Sequence, residues 1–321
     1  MTRRQWAVGV DFGGTNIKCG LVDPRGRVRR SLVLPTKRFS GPAAFVDGVS
    51  AAVHDLTASL HFPVRRLAGV GIGVPGLVDA AQGKVHLLTN VPGWHDVPLA
   101  SRLRSRLRVP VLVDNDVNLI TLGEWRFGAG RGANALIGIT LGTGVGGGIM
   151  LNGSLYRGAS GVAGELGHMG MALDGPRCAC GARGCLEAHV GTAAILRMAR
   201  QAARTSRGPL YRVMRQARGR LTPELVARAA RMGDTSARQV WAKVGRRLGH
   251  GLASVVNLLN PDRVVIGGGV ANAWTWFAPS LQQALRAHAM TVPGRHVKVV
   301  RAKLGDQAGI VGAAVLVWGE R

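Results

Sequence analysis

A strand, glycine turn, strand pattern over Val8 to Val22 returns over Ile137 to Leu151. In the first copy, Trp6 to Phe12 and Ile17 to Val22 are short apolar runs around Gly13-Gly14. A third run, Val28 to Leu34, follows the turn Asp23-Pro-Arg-Gly26. In the second copy, Ala135 to Leu141 and Gly148 to Leu151 flank Gly142-Thr143-Gly144. Apolar runs punctuated by turn residues predict hairpins. Each copy opens one half of the chain, so a duplicated βββαβα-like unit around a central cleft is expected. Helical periodicity then marks Phe45 to Leu60, Leu99 to Leu107, Val117 to Phe127, Leu186 to Ala203, Leu221 to Leu259, Trp274 to His288 and Ala308 to Trp318. Further strands are expected at Leu67 to Val74, Val109 to Val113, Arg263 to Ile266 and His296 to Val300. Strands alternate with helices, so the fold class is α/β.

The glycines at both turns let backbone N–H groups approach an anion closely, and Thr15 and Thr143 add hydroxyl donors. Gly142-x-Gly144-x-x-Gly147 also spells a dinucleotide-binding loop, but that loop requires a helix after its glycines. Here a strand and turn are expected instead. A third glycine group, Gly267-Gly268-Gly269, ends a predicted strand. Any one of these is compatible with a plain turn. Together they fit a nucleotide, with two turns on its phosphates and the triple glycine admitting a flat base or ribose.

Length suits two domains, or one large one, with ample core. No apolar run approaches the roughly 18 residues of a spanning helix. The net charge is +25, which draws attention to nucleic acid, membranes or polyanions as partners. Yet the arginines spread along the whole chain, and those from Arg197 to Arg231 are spaced as on exposed helix faces. A basic solvated surface is the simpler account.

Three of the four cysteines lie within eight positions, as Cys178-Ala-Cys180-Gly-Ala-Arg-Gly-Cys185, with His168 upstream. Three thiolates and an imidazole complete a tetrahedral Zn²⁺ set, which leaves no open position and makes the metal structural. The alternative is a disulfide with spare thiols. The polar start of the chain is unlike a secretory signal, so a reducing cytoplasm and zinc are expected. Cys19 sits in an apolar strand and is expected in the core. The same loop carries Glu165 and Glu187.

Asp114-Asn115-Asp116-Val-Asn118 stands at a strand-to-helix junction. Such residues cap helices well. They also supply what phosphoryl transfer to an alcohol needs, a carboxylate to take the hydroxyl proton and amides to fix the acceptor. Asp116 is the candidate base, with Asn115 and Asn90 as partners. Glu165, His168 and Glu187 add groups suited to a polyhydroxylated substrate. If zinc holds one nitrogen of His168, the other becomes a donor of fixed tautomer aimed outward.

These motifs resemble the ROK family of repressors, open reading frames and sugar kinases. Asp11-Phe-Gly13-Gly14-Thr15 is similar to its first phosphate motif and Leu141-Gly142-Thr143-Gly144 to its second. Gly161-Val-Ala-Gly164-Glu165-Leu-Gly167-His168, with the cysteine cluster and Glu187, resembles its zinc and sugar signature. The resemblance implies an actin/hexokinase-like, ribonuclease H-like duplicated fold, two domains around a cleft, usually dimeric. It implies a smaller domain over 1–117 joined by the C-terminal helix 307–321, and a larger one over 118–306 with the zinc loop. It implies Asp116 as base, and sugar contacts from Asn90, Asn115, Asp116, Glu165, His168 and Glu187. It implies ATP with Mg²⁺ as donor, held by Gly13, Gly14, Thr15, Gly142, Thr143, Gly144 and Gly267, Gly268, Gly269. Asn90-Val-Pro-Gly-Trp94 looks most like the family's bacterial glucokinases, with glucose as acceptor. N-acetylhexosamines as acceptor and polyphosphate as donor remain alternatives, as does a sugar-sensing regulator of DNA. Asp11 follows only ten residues, which is too few for the reader module of the family's repressors, so no specific nucleic acid is expected. Lys18 near the first turn has no assigned role.

Overall fold

The computed structural model describes residues 5–88, 91, 93–205, 207–218 and 220–319. Along the first part run β1 (Ala7–Phe12), β2 (Asn16–Val22), β3 (Val28–Pro35), α1 (Pro42–Ala58), β4 (Gly69–Val74), β5 (Leu77–Asp79), β6 (Lys84–Leu87) and β7 (His95–Val97). Next come α2 (Leu99–Leu107), β8 (Val111–Asn115), α3 (Asp116–Phe127), β9 (Leu136–Leu141), β10 (Val145–Leu151) and β11 (Ser154–Leu155). Helices then dominate: α4 (Leu186–Val190), α5 (Thr192–Arg204), α6 (Pro209–Gln216), α7 (Pro223–Arg231) and α8 (Thr235–Leu259). The chain closes with β12 (Arg263–Gly267), α9 (Trp274–His288), α10 (Thr291–His296), β13 (Lys298–Arg301) and α11 (Ala308–Trp318).

The two main sheets have the orders β3-β2-β1-β4-β8 and β11-β10-β9-β12-β13. Both read third, second, first, fourth, fifth. In the first sheet β1 is antiparallel to β2 and parallel to β4, and β4 is parallel to β8. In the second, the antiparallel β10–β11 pair matches the antiparallel β2–β3 pair of the first, and the parallel β12–β13 pair matches β4–β8. The expected duplication is therefore written in the strand order. A third small sheet, β5-β6-β7, was not foreseen from the sequence.

Two compact units result. One comprises Met1–Gly138, Gly148–Gly164 and Lys303–Arg321, and the other Ile139–Gly147 and Glu165–Ala302. The sequence predicts a division after 117 and a smaller first domain. Instead the first unit is the larger, because it runs on through α3 to Gly138 and also takes Gly148–Gly164 and the chain from Lys303. Its buried Glu124 accepts N–H bonds from Ala129, Lys303 and Leu304 at 2.6 to 3.0 Å. α3 also crosses α11 closely, since a Cβ on Gly312 would collide with the Leu119 carbonyl. These contacts fix the helix whose first residue is Asp116.

The main core of the first unit lies on one face of its sheet, where Val8, Val10 and Phe12 meet α1, while Ala7 and Val22 pack on α11 from the other face. Phe12 stacks on Phe45 at 4.7 Å between centroids, and Trp94 meets Phe45 edge-on at 5.2 Å. Trp94 is 1% exposed, so it anchors its loop in the core. Cys19 is fully buried, as expected, and burial pushes its thiol up to about 12. The described arginines from Arg197 to Arg231 are all exposed, which agrees with solvated helix faces. Among the described residues no helix is long and apolar enough to cross a membrane.

Candidate active site

In the first unit the site is built at the end of β8. Asn115 is the N-cap of α3, and its Oδ1 accepts from Val117 N at 2.8 Å and Asn118 N at 3.3 Å. Its Nδ2 donates to the Gly76 carbonyl at 3.3 Å. The capping potential of the Asp114 to Asn118 string thus falls to Asn115, whose oxygen is engaged, leaving a second amide hydrogen for a ligand. Asp116 is the first helical residue, and one of its oxygens lies 3.0 Å from Val117 N.

Behind them Asp114 is 2% exposed. Its Oδ1 accepts from Asn115 N at 2.7 Å and Asn118 Nδ2 at 3.0 Å. Its Oδ2 accepts from Nε and Nη2 of Arg157, both at 2.8 Å. A buried carboxylate needs this much compensation. The result is a rigid bracket under Asn115 and Asp116. Arg157 is invisible to local sequence patterns, because 43 positions separate it from Asp114.

The first glycine turn, between β1 and β2, closes with Gly13 N donating to Asn16 O at 3.0 Å. Gly14 and Thr15 are exposed, and a Cβ on Gly14 would meet nothing within 4 Å. Thr36 braces the turn, its hydroxyl donating to Gly13 O at 2.7 Å. The second turn has the same device: Gly142 N donates to Gly144 O at 3.0 Å, and the Thr192 hydroxyl donates to Gly142 O at 2.7 Å. Each turn is thus held open from behind by a distant threonine.

Asp11, one residue before the end of β1, opens the motif that contains the first glycine turn. Burial holds its carboxyl above the usual carboxylate range; the charge of Lys18 opposes this and that of Asp306 adds to it. Lys18 Nζ stands 3.6 Å from Asp306, which gives this lysine a local electrostatic role.

In the second unit His168, Cys178, Cys180 and Cys185 each offer a ligand atom, all within 4.8 Å of one another. Cys180 and Cys185 sulfurs are 3.7 Å apart, and Cys178 Sγ is 3.7 Å from His168 Nδ1. A tetrahedron with Zn–S bonds of about 2.3 Å has edges of about 3.8 Å, so the donor set fits zinc. No disulfide links these cysteines. Burial pushes the Cys178 thiol up, and metal binding at such a site releases thiol protons. The Nδ1 of His168 faces the cysteines while Nε2 lies 3.8 Å from Glu165. Glu187 joins this loop to the second glycine turn: Oε2 accepts from Val145 N at 2.9 Å, and Cys178 Sγ lies 3.5 Å from Oε1.

Gly267 ends β12, and Gly268 (φ 83°) lies so close to the Leu141 backbone that a Cβ would collide with it. Gly269 then borders a recess with Pro223, Glu224, Ala227, Trp241 and Val270. Asn90 lies outside the described residues. Asn115, Asp116 and the first turn thus stand in the first unit, while Glu165, His168, Glu187, the second turn and the triple glycine stand in the second.

The model of the ROK family matches residues 7–320. This chain belongs to the ROK family. It is 35% identical to the glucokinase of Halalkalibacterium halodurans over 98% of this chain and 95% of that protein. A crystal structure of a ROK family glucokinase from Streptomyces griseus, in complex with glucose and AMPPNP, superposes with a TM-score of 0.82 at 35% identity, covering 97% and 98% of the two chains. The xylose repressor of Bacillus subtilis is 28% identical over 97% of this chain and 77% of that protein. The fold is accordingly the actin/hexokinase-like α/β fold of ROK sugar kinases, as the motifs implied.

Proposed function

We propose that the chain is a hexokinase-type phosphotransferase that moves the terminal phosphoryl group of ATP to the 6-hydroxyl of glucose. The observation that carries this is Asp116, the first residue of α3, on a bracket formed by Asn115, Asp114 and Arg157. The acceptor hydroxyl gives its proton to the Asp116 carboxylate as its oxygen bonds to the γ-phosphorus. The bond from that phosphorus to the bridging oxygen breaks, and ADP carries away the electron pair. A positioned base of this kind contributes about 10²- to 10⁴-fold.

Sugar hydroxyls are held by the Asn115 amide, by Glu165 and Glu187 as acceptors, and by His168 Nε2 as donor; Asn90 completes the set. His168, Cys178, Cys180 and Cys185 would hold zinc, which would fix the imidazole tautomer and thereby the direction of that donor. Gly13, Gly14, Thr15 and Gly142, Thr143, Gly144 take the phosphates, and Gly267, Gly268, Gly269 with the recess beside them take the nucleoside. Mg²⁺, when bound, draws charge from the β- and γ-phosphates, and Asp11 is the carboxylate suited to it by chemistry. The protein works as a cytoplasmic homodimer in carbohydrate metabolism.

Support comes from the glucokinase of H. halodurans and from the glucose and AMPPNP complex of the S. griseus protein. A second reading, a sugar-responsive regulator, is favoured by the likeness to xylose repressors such as that of B. subtilis. One assay separates them. Product formation is followed over glucose, mannose, N-acetylglucosamine and N-acetylmannosamine with ATP or polyphosphate as donor. The proposal expects the highest kcat/KM for glucose with ATP. No turnover on any pair would favour the regulator, and a higher value for an N-acetylhexosamine or for polyphosphate would reassign acceptor or donor.

A further inference from the structure

Between Glu187 and Asp234 the chain carries ten arginines and one carboxylate, Glu224. Glu224 stands in the first turn of α7, just after the N-cap Thr222 and Pro223. The helix dipole favours a negative charge there. That does not account for its lack of a partner. Arg228 and Arg231 follow at i+4 and i+7 on the same helix, where a Glu–Arg pair is ordinary. Glu224 nevertheless forms no ion pair within 4.0 Å with any described residue. Its Oε1 stands instead beside Gly269, 3.9 Å from where a Cβ on that glycine would be.

No other described atom comes within 4 Å of that Cβ, so packing does not demand a glycine at 269. The bare backbone leaves room for a ligand. Its neighbour Gly268 is pressed against the Leu141 backbone, and Leu141 leads into the second glycine turn. The order in space is therefore the second turn, Gly268, Gly269 and Glu224, with Ala227, Val270 and Ala273 giving the recess its apolar wall. A nucleotide has the same order: phosphates, ribose, base. Among the residues that line the recess Glu224 is the one anion. Asn272, also in the lining, has its amide oxygen engaged by Arg301 Nη2 at 2.7 Å, so Glu224 is the strong acceptor left for a ligand.

On the reading that places the nucleoside in this recess, we propose that Glu224 accepts hydrogen bonds from the vicinal ribose hydroxyls of the phosphoryl donor and so selects a ribonucleotide. A carboxylate repels a phosphate chain beside it, and inorganic polyphosphate offers it only negative oxygens. A ribose offers two adjacent O–H donors, and an acidic residue on a ribose hydroxyl is the device that dinucleotide-binding folds use. Bonds to an ionised acceptor are also the stronger ones.

The test is calorimetric titration of the full chain, with Mg²⁺ present, by ADP, 2′-deoxy-ADP, 3′-deoxy-ADP, inosine diphosphate and tripolyphosphate. Glu224→Ala removes acceptor and charge, and Glu224→Gln keeps one neutral acceptor oxygen. The side chain is exposed, so thermal melting should be unchanged in both. The parent should bind ADP at least about tenfold more tightly than either deoxy form, as a bond to a charged group warrants. In Glu224→Ala, ADP should weaken to the level of the deoxy forms, with Glu224→Gln between. Tripolyphosphate, which reads the charge alone, should not weaken in either variant. Ribose discrimination kept by Glu224→Ala overturns the proposal, as does a parent that binds ADP and both deoxy forms alike; in both cases the nucleoside reading stands. Loss of affinity for inosine diphosphate without ribose dependence also overturns it and moves Glu224 to the edge of the base. No ADP binding by the parent overturns the assignment of the recess itself, and the proposal with it.

Discussion

Arg157 sets two N–H groups, Nε and Nη2, on one oxygen of Asp114, each at 2.8 Å. The other oxygen is left for Asn115 N and Asn118 Nδ2. Breaking a buried pair from one side leaves an uncompensated charge and costs about 3–5 kcal/mol. Arg157→Met should therefore lower stability in urea by that order and reduce kcat more than it raises KM for sugar. Arg157→Lys should recover part of the stability but less of the rate, since one ammonium cannot reproduce the paired contact. A Met variant with parental stability and kcat would remove Arg157 from this positioning role.

Asp11 predicts an inverse effect. Its folded pKa is raised, mainly by burial, so the folded state favours its proton. The favourable contribution is present below the ordinary carboxylate value of 3.8 and is lost as pH rises through the raised folded value. Asp11→Asn should therefore raise Tm relative to the parent, by a margin that grows with pH from about 3.8 and levels off above the folded pKa. Activity should fall, since the carboxylate beside the first glycine turn is gone. A Tm difference that shrinks as pH rises would contradict the assignment.

The cysteine loop should hold one zinc per chain, measured by metal analysis of protein purified without chelator. Cys180→Ser alters an exposed ligand and barely changes packing, so its effect reports on the metal. Loss of zinc together with weaker sugar binding is expected, because the loop sets Glu165, His168 and Glu187. Retained zinc with full activity would separate the loop from the site.

Gly144→Ala should uncouple that loop from the second turn. A Cβ there collides with Glu187 Oε2, whose bond to Val145 N would have to break. Raised KM values for both substrates are expected, against an unchanged enzyme if the turn has no role. Steady-state kinetics over a matrix of sugar and ATP concentrations reads the difference.

Local patterns carried much of the fold into the sequence. Leu99 to Leu107 and Trp274 to His288 are helices with the expected ends, because amphipathic spacing and flanking breakers agree there. Other segments escaped. The strands β5, β6 and β7 have three or four residues each, too few for alternation to register. α10 contains Pro293 and Gly294, which read as breakers. The helical run from Leu186 divides at Gly191, whose N–H closes α4 on Glu187 O just before α5 begins. Around the candidate site, the glycine turns, the strand-to-helix junction at Asp116 and the grouping of His168 with Cys178, Cys180 and Cys185 were legible because each is a short local signature. Their supports were not. Thr36 is 23 positions from Gly13 and Thr192 is 50 from Gly142, and such pairings exist only once the sheets have formed.

The most direct measurement is turnover of glucose and ATP by Asp116→Asn beside the parent protein, with product identified by phosphorus NMR. The cap of α3 is Asn115, so the helix start should survive and melting should be nearly unchanged. The account predicts glucose 6-phosphate from the parent and a fall in kcat of about 10²- to 10⁴-fold in the variant, with KM for glucose changed far less. A folded variant that turns over glucose at the parental rate would contradict it.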